Sequence, residues 1–267
     1  MEKRIMKNKS LNKKDLKISL IITLLCSIGT IFVLLYQSNL VPSEINGMSK
    51  DVILLISFLQ SVVLIFIASF LGLKLARATN FNKGILGWAY SQGENRYRIN
   101  KKSLAIAIGI SFLCATLMML SEKFLWSVYI PEINDSMYKF DIIYLLSGII
   151  YGGIAEEVLL RLFTLSFIVF ILYKVFARKK DKTNIPNSIY FISIFIAAIL
   201  FAIGHLPMTM SIFGIVDMAV ILRMLILNGI PGIFFGYLYW KKGLEYAIIS
   251  HMFIHIFTQL FWSPILF

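Results

Sequence analysis

The sequence predicts an all-α, polytopic membrane helix bundle with about seven transmembrane helices, and three observations support this prediction. Of its 267 residues, 58% are hydrophobic and only 15% are charged, whereas a soluble domain carries about 25% charged residues. The apolar residues form long blocks, and a block of about 20 such residues can span a bilayer. Lys and Arg cluster at alternate ends of these blocks. The composition therefore excludes a soluble globule and a disordered chain.

The apolar blocks predict seven spans, at residues 17–37, 52–74, 103–121, 141–174, 188–206, 219–240 and 244–262. A basic segment precedes the first span, as in a signal peptide, but no small-residue cleavage site follows it, so we expect an uncleaved helix. The fourth block would measure about 51 Å as a straight helix, against about 30 Å of hydrocarbon. It is either one long tilted helix or a helix that loosens at Gly152 and Gly153. We expect residues 1–135 to contain three spans and residues 136–267 to form a catalytic core of four.

The basic residues predict the orientation of the chain. Twenty-one Lys and Arg residues lie in alternate flanks, at residues 1–17, 74–102, 174–182 and 241–242. The opposite flanks contain three, which are Lys50, Lys123 and Lys139. Because flanks rich in Lys and Arg stay in the cytoplasm, we expect a multi-pass cell-membrane protein with a cytoplasmic N-terminus and an external C-terminus. The net charge of +12 then reflects orientation in the lipid bilayer and not nucleic acid binding.

An ionisable side chain inside a span is costly and usually functional, and seven such side chains are candidates. They are Glu156, Glu157, Arg161, His205, Arg223, His251 and His255. We expect Arg223 to reach the outer surface near Asp217 and assign it no chemistry. The other six comprise two Glu, one Arg and all three His of the protein, on three spans. They predict a shared polar cavity, although each alone is also consistent with a structural ion pair or a packing contact.

The spacing of these residues indicates which of them pair. Glu157 and Arg161 are four positions apart with the acid first, which is the favourable order for a helical ion pair. Glu156 is rotated by about 100° from its neighbour, so it projects elsewhere. A free carboxylate beside a paired one is suited to act as a general base. His251 and His255 are also four positions apart and share one helix face.

Three segments carry a family resemblance: Glu156-Glu157-Val-Leu-Leu-Arg161, Phe201-Ala-Ile-Gly-His205 and His251-Met-Phe-Ile-His255. They resemble the motifs EExxxR, FxxxH and HxxxN or HxxxD of the CPBP family, the CAAX proteases and bacteriocin-processing enzymes also called the Abi family. The resemblance covers about residues 140–262, and residues 1–135 match only as generic membrane helices. It implies an intramembrane glutamic endopeptidase.

The resemblance also implies a role for each residue. Glu156 would activate water, His205 would help to bind or orient it, and Glu157 and Arg161 would support the site. His251 and the fourth residue after it would hold the water or stabilise the oxyanion. Here that fourth residue is His255, where the family usually has Asn or Asp. A neutral His donates one hydrogen bond as Asn can, but it is bulkier and can be protonated or bind a metal.

Two chemical routes remain open from the residues alone. No Ser or Cys forms a triad-like arrangement with the His residues, so we expect an activated water and not a covalent intermediate. In the first route Glu156 takes the proton of the water and His donors stabilise the oxyanion. In the second, Glu and His residues hold zinc. We favour the first route, and so predict no cofactor and no metal.

Three functions are consistent with these features. The first is a peptidase that cleaves a small peptide precursor or a membrane-associated substrate, such as a bacteriocin or signalling-peptide precursor. The second is a non-catalytic bacteriocin-immunity or regulatory membrane protein of the same fold, which the His at position 255 keeps open. The third is a proton-coupled transporter or channel, which the lack of inverted repeats disfavours. The Lys-, Ile- and Asn-rich composition is typical of an AT-rich bacterial genome, so prenylated substrates are not expected.

Overall fold

The computed structural model describes residues 2–38, 43–45, 47–91, 96–135, 139–179, 181–214 and 216–267. Within these residues, seven helical stretches are long and apolar enough to cross a membrane, which confirms the predicted multi-pass membrane bundle. The spans, first to seventh, are Ser10–Gln37, Lys50–Ala78, Lys101–Tyr129, Ile142–Phe176, Asn187–Phe213, Met218–Lys241 and Leu244–Leu266. The predicted division after residue 135 borders residues 136–138, which lie outside the described part of the chain.

Most of the described chain is helical. The α-helices are α1 (Glu2–Gln37), α2 (Lys50–Ala78), α3 (Gly84–Tyr90), α4 (Lys101–Ser121), α5 (Ser127–Tyr129), α6 (Glu132–Asp135), α7 (Ile142–Ser147), α8 (Ser166–Phe176), α9 (Asn187–Gly204), α10 (Leu206–Phe213), α11 (Met218–Lys241), α12 (Leu244–Ile256) and α13 (Ser263–Leu266). The wider π-helical segments are π1 (Glu122–Trp126), π2 (Gly148–Glu156), π3 (Val158–Leu165) and π4 (Phe257–Trp262). A 3-10 turn covers Lys182–Asn184. Between the first two spans, β1 (Glu44–Ile45) pairs antiparallel with β2 (Met48–Ser49).

The fourth span is one helix that loosens in its middle. It begins as α7, continues through π2 and π3, and ends as α8. The π-helical region starts at Gly148, one turn before Gly152 and Gly153, so the loosened alternative from the sequence is the observed one. π-helical turns are rare and occur frequently at functional sites. Here they contain Glu156 and Arg161 of the first predicted motif.

The spans run antiparallel, and polar and aromatic contacts fix which ends meet. Asp15, near the start of the first span, accepts hydrogen bonds at 2.5 and 2.6 Å from Arg77 near the end of α2. Tyr90 of α3 donates to the same carboxylate at 2.5 Å. At the other end of the bundle, Tyr36 of α1 packs on Tyr144 of α7 with 4.9 Å between ring centroids. The end that carries the Asp15 cluster is the basic end, formed by the flanks at 74–102, 174–182 and 241–242, and the other is the opposite end.

Glu245, at the start of α12, ties α3 and the segment that follows it to the seventh span. Its carboxylate accepts from the backbone N–H of Ile85 at 3.1 Å and from the hydroxyl of Tyr97. Burial and the hydrogen bond to Glu245 raise the pKa of Tyr97, so this phenol stays a neutral donor. The hydroxyl of Tyr246 accepts from the backbone N–H of Asn100 at 2.8 Å. These contacts hold the first turn of the helix that carries two of the three His residues.

Arg223 does not reach the surface near Asp217, so this expectation from the sequence is wrong. Its guanidinium forms a bidentate ion pair with the carboxylate of Glu122 in π1, with Nε 3.0 Å from Oε2. Both residues are buried, and the pair joins the third span to the sixth. Asp217 instead caps α11, because its carboxylate accepts from the backbone N–H of Val220 at 2.8 Å. The partner of Arg223 is 101 positions away in sequence, which local spacing cannot reveal.

Removing one member of this pair should destabilise the bundle. We expect Arg223→Met to lower the free energy of unfolding by roughly 3–5 kcal/mol, because the carboxylate of Glu122 is then buried without its partner. The double variant Glu122→Gln with Arg223→Met removes both charges and should recover most of that loss. Thermal unfolding in detergent checks this, and a double variant no more stable than Arg223→Met would contradict a coupled pair.

Candidate active site

A cavity of about 410 Å³ lies between the spans in the half of the bundle nearer the opposite end. Four of the six predicted site residues line it, and these are Glu156, His205, His251 and His255. The other two, Glu157 and Arg161, are 0% and 1% exposed and lie behind the cavity wall. The structure thus brings residues from the fourth, fifth and seventh spans to one place.

Glu157 organises the buried side of the site. Its Oε1 lies 3.1 Å from Nη1 of Arg161 and 2.9 Å from Nδ1 of His251. Because this oxygen faces a guanidinium, it acts as an acceptor, and the proton of the contact is on Nδ1 of His251. In the neutral ring, Nε2 of His251 is therefore an unprotonated acceptor. It faces the cavity, 3.9 Å from Oε2 of Glu156.

Glu156 and Glu157 occupy different environments although they are adjacent. The side chain of Glu156 is 21% exposed in the cavity, whereas that of Glu157 is 0% exposed. The ion pair with Arg161 belongs to Glu157, as the spacing of four positions indicates. The structure therefore has one partnered carboxylate and one that faces open space.

His205 ends α9 and is fixed by a local hydrogen bond. Its Nδ1 lies 2.9 Å from the backbone oxygen of Phe201, one turn earlier. A carbonyl oxygen only accepts, so Nδ1 carries the proton and Nε2 of the neutral ring is an acceptor. The ring of Phe201 also contacts the rings of His205 and His251 edge-on, at 4.8 and 5.8 Å between centroids. The Phe of the second motif thus separates and orients the two imidazoles.

His255 packs into a groove of the fourth span that two glycines create. A Cβ atom at Gly148 would lie 2.5 Å from Nδ1 of His255, and one at Gly152 would lie 2.9 Å from its Nε2. The ring stacks on His251, with centroids 5.2 Å apart and 18° between the planes. Among the described residues, none forms a hydrogen bond with a ring nitrogen of His255, so either nitrogen can present its N–H to the cavity.

Comparison with known proteins shows a similarity to one family over part of the chain. The model of the Type II CAAX prenyl endopeptidase Rce1-like family matches residues 138–257. We refer to residues 138–257, the part of the chain that is similar to this family, as the Rce1-like domain. The match includes all three motifs and confirms the resemblance seen in the sequence. A search of curated proteins and a search of solved structures gave no match.

Two residues of the Rce1-like domain that sequence reasoning missed also line the cavity, Asn228 and Phe235 of α11. The ring of Phe235 stacks on His251 at 4.6 Å and lies 5.1 Å from the guanidinium of Arg161. Nδ2 of Asn228 donates to the backbone oxygen of Met224 at 2.9 Å, which leaves its second N–H for the cavity. The signal for Asn228 was a polar side chain within an apolar span. Phe235 carries no such signal among the 22 Phe residues of the chain.

The Rce1-like domain has donors of the kind that zinc binds, but they are not assembled around one point. Nε2 of His205, Nε2 of His251 and the carboxylate of Glu156 are suitable ligand types. Across the described ranges, however, no three His, Cys, Asp or Glu side chains converge as a metal-binding group. The arrangement therefore does not fit a metal, and we derive no step through one.

Proposed function

We propose that this protein is an intramembrane endopeptidase in which Glu156 activates the hydrolytic water. The Rce1-like domain supports a membrane protease at the level of the family. The observation that carries the finer proposal is the division between the two carboxylates, since Glu157 is paired with Arg161 and His251 while Glu156 faces the cavity. An unpaired carboxylate in a water-accessible cavity is suited to take a proton from water.

The spacing of Glu156 and His251 supports a water site between them. A water oxygen about 2.8 Å from each acceptor can donate one hydrogen bond to Oε2 of Glu156 and one to Nε2 of His251. In the proposed reaction the water oxygen attacks the substrate carbonyl carbon while one proton moves to Glu156. The C–N bond then breaks, and Glu156 returns that proton to the departing nitrogen. Because a water has only two protons, Nε2 of His205, which is also an acceptor, can orient it only in place of Nε2 of His251.

The hydrogen-bond pattern also supports an assignment of the oxyanion donors. His205 and His251 use their ring N–H groups within the protein, so their neutral rings have no N–H to offer a substrate oxygen. The ring of His255 and the second N–H of Asn228 remain available as donors. A preorganised donor at the developing oxyanion is typically worth about 10²–10³ in kcat. We therefore propose that His251 holds the water and that His255 and Asn228 stabilise the oxyanion.

A larger side chain at position 148 should displace His255 and reduce activity without unfolding the protein. In Gly148→Ala the new methyl would meet Nδ1 of His255 at 2.5 Å, and the flexible ring has to move. A displacement of about 1 Å can cost about 10²-fold in rate, so we expect a fall of this order in peptide hydrolysis. Gly229→Ala, where a Cβ meets nothing within 4 Å, is the matched control. Equal activities of the two variants would contradict a positioned His255.

We also propose that the N-terminus is cytoplasmic and the C-terminus external, as the 21-to-3 distribution of Lys and Arg predicts. Topology reporters fused after Lys17, Lys242 and Lys180, the last of which lies outside the described residues, should report the cytoplasm. A reporter after Phe267 should report the exterior. A cytoplasmic signal after Phe267 would mean an even number of membrane crossings and would reverse this assignment.

The substrate that fits this proposal is a small peptide precursor or a segment of a membrane-associated protein. The alternative is a non-catalytic bacteriocin-immunity or regulatory protein, which His255 at the usual Asn or Asp position favours. Purified protein in liposomes, incubated with an internally quenched peptide library and followed by mass spectrometry, separates the two. Cleavage by the wild type that is lost in Glu156→Gln supports the peptidase, and no cleavage by either supports the alternative.

A further inference from the structure

We infer that the cavity binds an unprenylated polypeptide segment, which enters from the opposite end of the bundle and lies along a wall supplied by α1 and α2. The cleavage of the bound segment rests on the proposed peptidase function. The placement of the entrance rests on the fold alone.

The wall comes from spans outside the Rce1-like domain. Thr30 and Gln37 of α1 and Ser57 and Ser61 of α2 line the same cavity as Glu156. All four precede the matched region, which begins at residue 138. The first two spans therefore complete the cavity that the family motifs begin.

The position of the wall along its helices shows where the cavity opens. Gln37 is the last residue of α1, and Ser57 lies two turns into α2, so both are near the opposite end. Pro207, at the exposed start of α10, lines the same rim. Towards the basic end the fourth span is sealed by packing, because Leu162 and Val169 are 0% exposed. The lining residues therefore put the entrance of the cavity at the opposite end.

The wall is held at a fixed distance from the site by close packing of α1 on π2. A Cβ atom at Gly29 would lie 2.7 Å from the backbone nitrogen of Tyr151. Only a glycine permits this approach, so α1 lies directly against the π-helical segment that ends at Glu156. A substrate bound along α1 therefore has a defined position relative to that carboxylate.

Although Val33 and Leu34 also line the cavity, the polar side chains of the wall suit a polypeptide better than an isoprenyl chain. At membrane depth every main-chain N–H and C=O of a bound peptide needs a hydrogen-bond partner. The hydroxyl of Ser57 donates to the backbone oxygen of Ile53 at 2.9 Å and so retains lone pairs for a peptide N–H group. The amide of Gln37 offers both a donor and an acceptor. An isoprenyl chain would satisfy none of these groups.

The entrance can be tested without any assay of activity. Gln37→Cys and Ser57→Cys in the full-length chain should react with a membrane-impermeant maleimide in intact cells. Ser91→Cys, exposed at the basic end, should react only after permeabilisation. The wild type, whose Cys26 and Cys114 are both buried, is the blank. Two wall positions guard against one variant failing to fold. Labelling of Ser91→Cys with neither wall variant labelled, in intact or in permeabilised cells, would overturn the proposed entrance.

The nature of the occupant is tested with an internally quenched peptide that the wild type cleaves. Gln37→Leu removes about one hydrogen bond to the substrate, so it should raise KM about 10-fold. The value of kcat should be nearly unchanged. Ser38→Ala, at an exposed neighbour whose hydroxyl bonds Leu35, should change neither constant. Faster cleavage of the same peptide in farnesylated form, or an unchanged KM in Gln37→Leu, would overturn the inference. If the wild type cleaves no peptide, the proposed function fails, while the labelling result still decides the entrance.

Discussion

We expect Glu156→Gln to abolish peptide hydrolysis and to leave the protein folded and inserted. Glutamine keeps the size of the side chain but cannot take a proton from water, and general-base catalysis typically contributes about 10²–10⁴ in rate. We expect kcat to fall by about 10³-fold. Because Glu156 has no ion pair with Arg161 and its side chain faces the cavity, the midpoint of thermal unfolding should stay within a few degrees of that of the wild type.

Glu157→Gln is the matched control, one position away with the same chemical change. Here the guanidinium of Arg161 loses the carboxylate at 3.1 Å, and Nδ1 of His251 loses its charged acceptor at 2.9 Å. Leaving a buried charge unpaired costs roughly 3–5 kcal/mol, so this variant should lose both activity and thermal stability. Equal loss of activity with normal stability in both variants would refute the division of roles between the two acids.

The local part of the site was predictable because it depends on helical spacing. Glu157 and Arg161, four positions apart, form the ion pair that the spacing indicates. His251 and His255, also four apart, stack on one face of α12. The number of spans was predictable as well, since the thickness of the bilayer sets the length of an apolar helix. These features need no knowledge of how the spans pack.

The parts that sequence reasoning missed all depend on packing between spans. Arg223 pairs with Glu122 across two spans, and charge spacing within one helix cannot reveal such a partner. The groove for His255 depends on Gly148, whose role is visible only once the seventh span lies against the fourth. The contribution of α1 and α2 to the cavity also depends on packing, because the sequence of a uniformly apolar helix does not show which of its faces lies against a site. The predicted division of the chain into two regions at residue 135 stays a prediction. Residues from both regions line the same cavity.

His255→Asn retains or increases activity if the site works without a metal. Asn is one of the two residues that the resembled motif has at this position, and its amide donates a hydrogen bond as the imidazole does. The groove formed by Gly148 and Gly152 accepts the smaller side chain without a clash. We expect kcat within about three-fold of the wild type or above it, which is a free-energy difference of less than about 1 kcal/mol. A strong chelator should change the rate of neither protein.

The other two interpretations give different results in the same experiment. If zinc binds through His255 and His251, the substitution removes a ligand, so metal content and activity should fall together and the chelator should inactivate the wild type. If the protein is a non-catalytic binder, both His255→Asn and Glu156→Gln should leave its biological effect intact. Measuring both variants with and without chelator therefore separates the three. A wild type that is active, and that loses activity both on chelation and in His255→Asn, would replace the glutamate mechanism with a metal-dependent one.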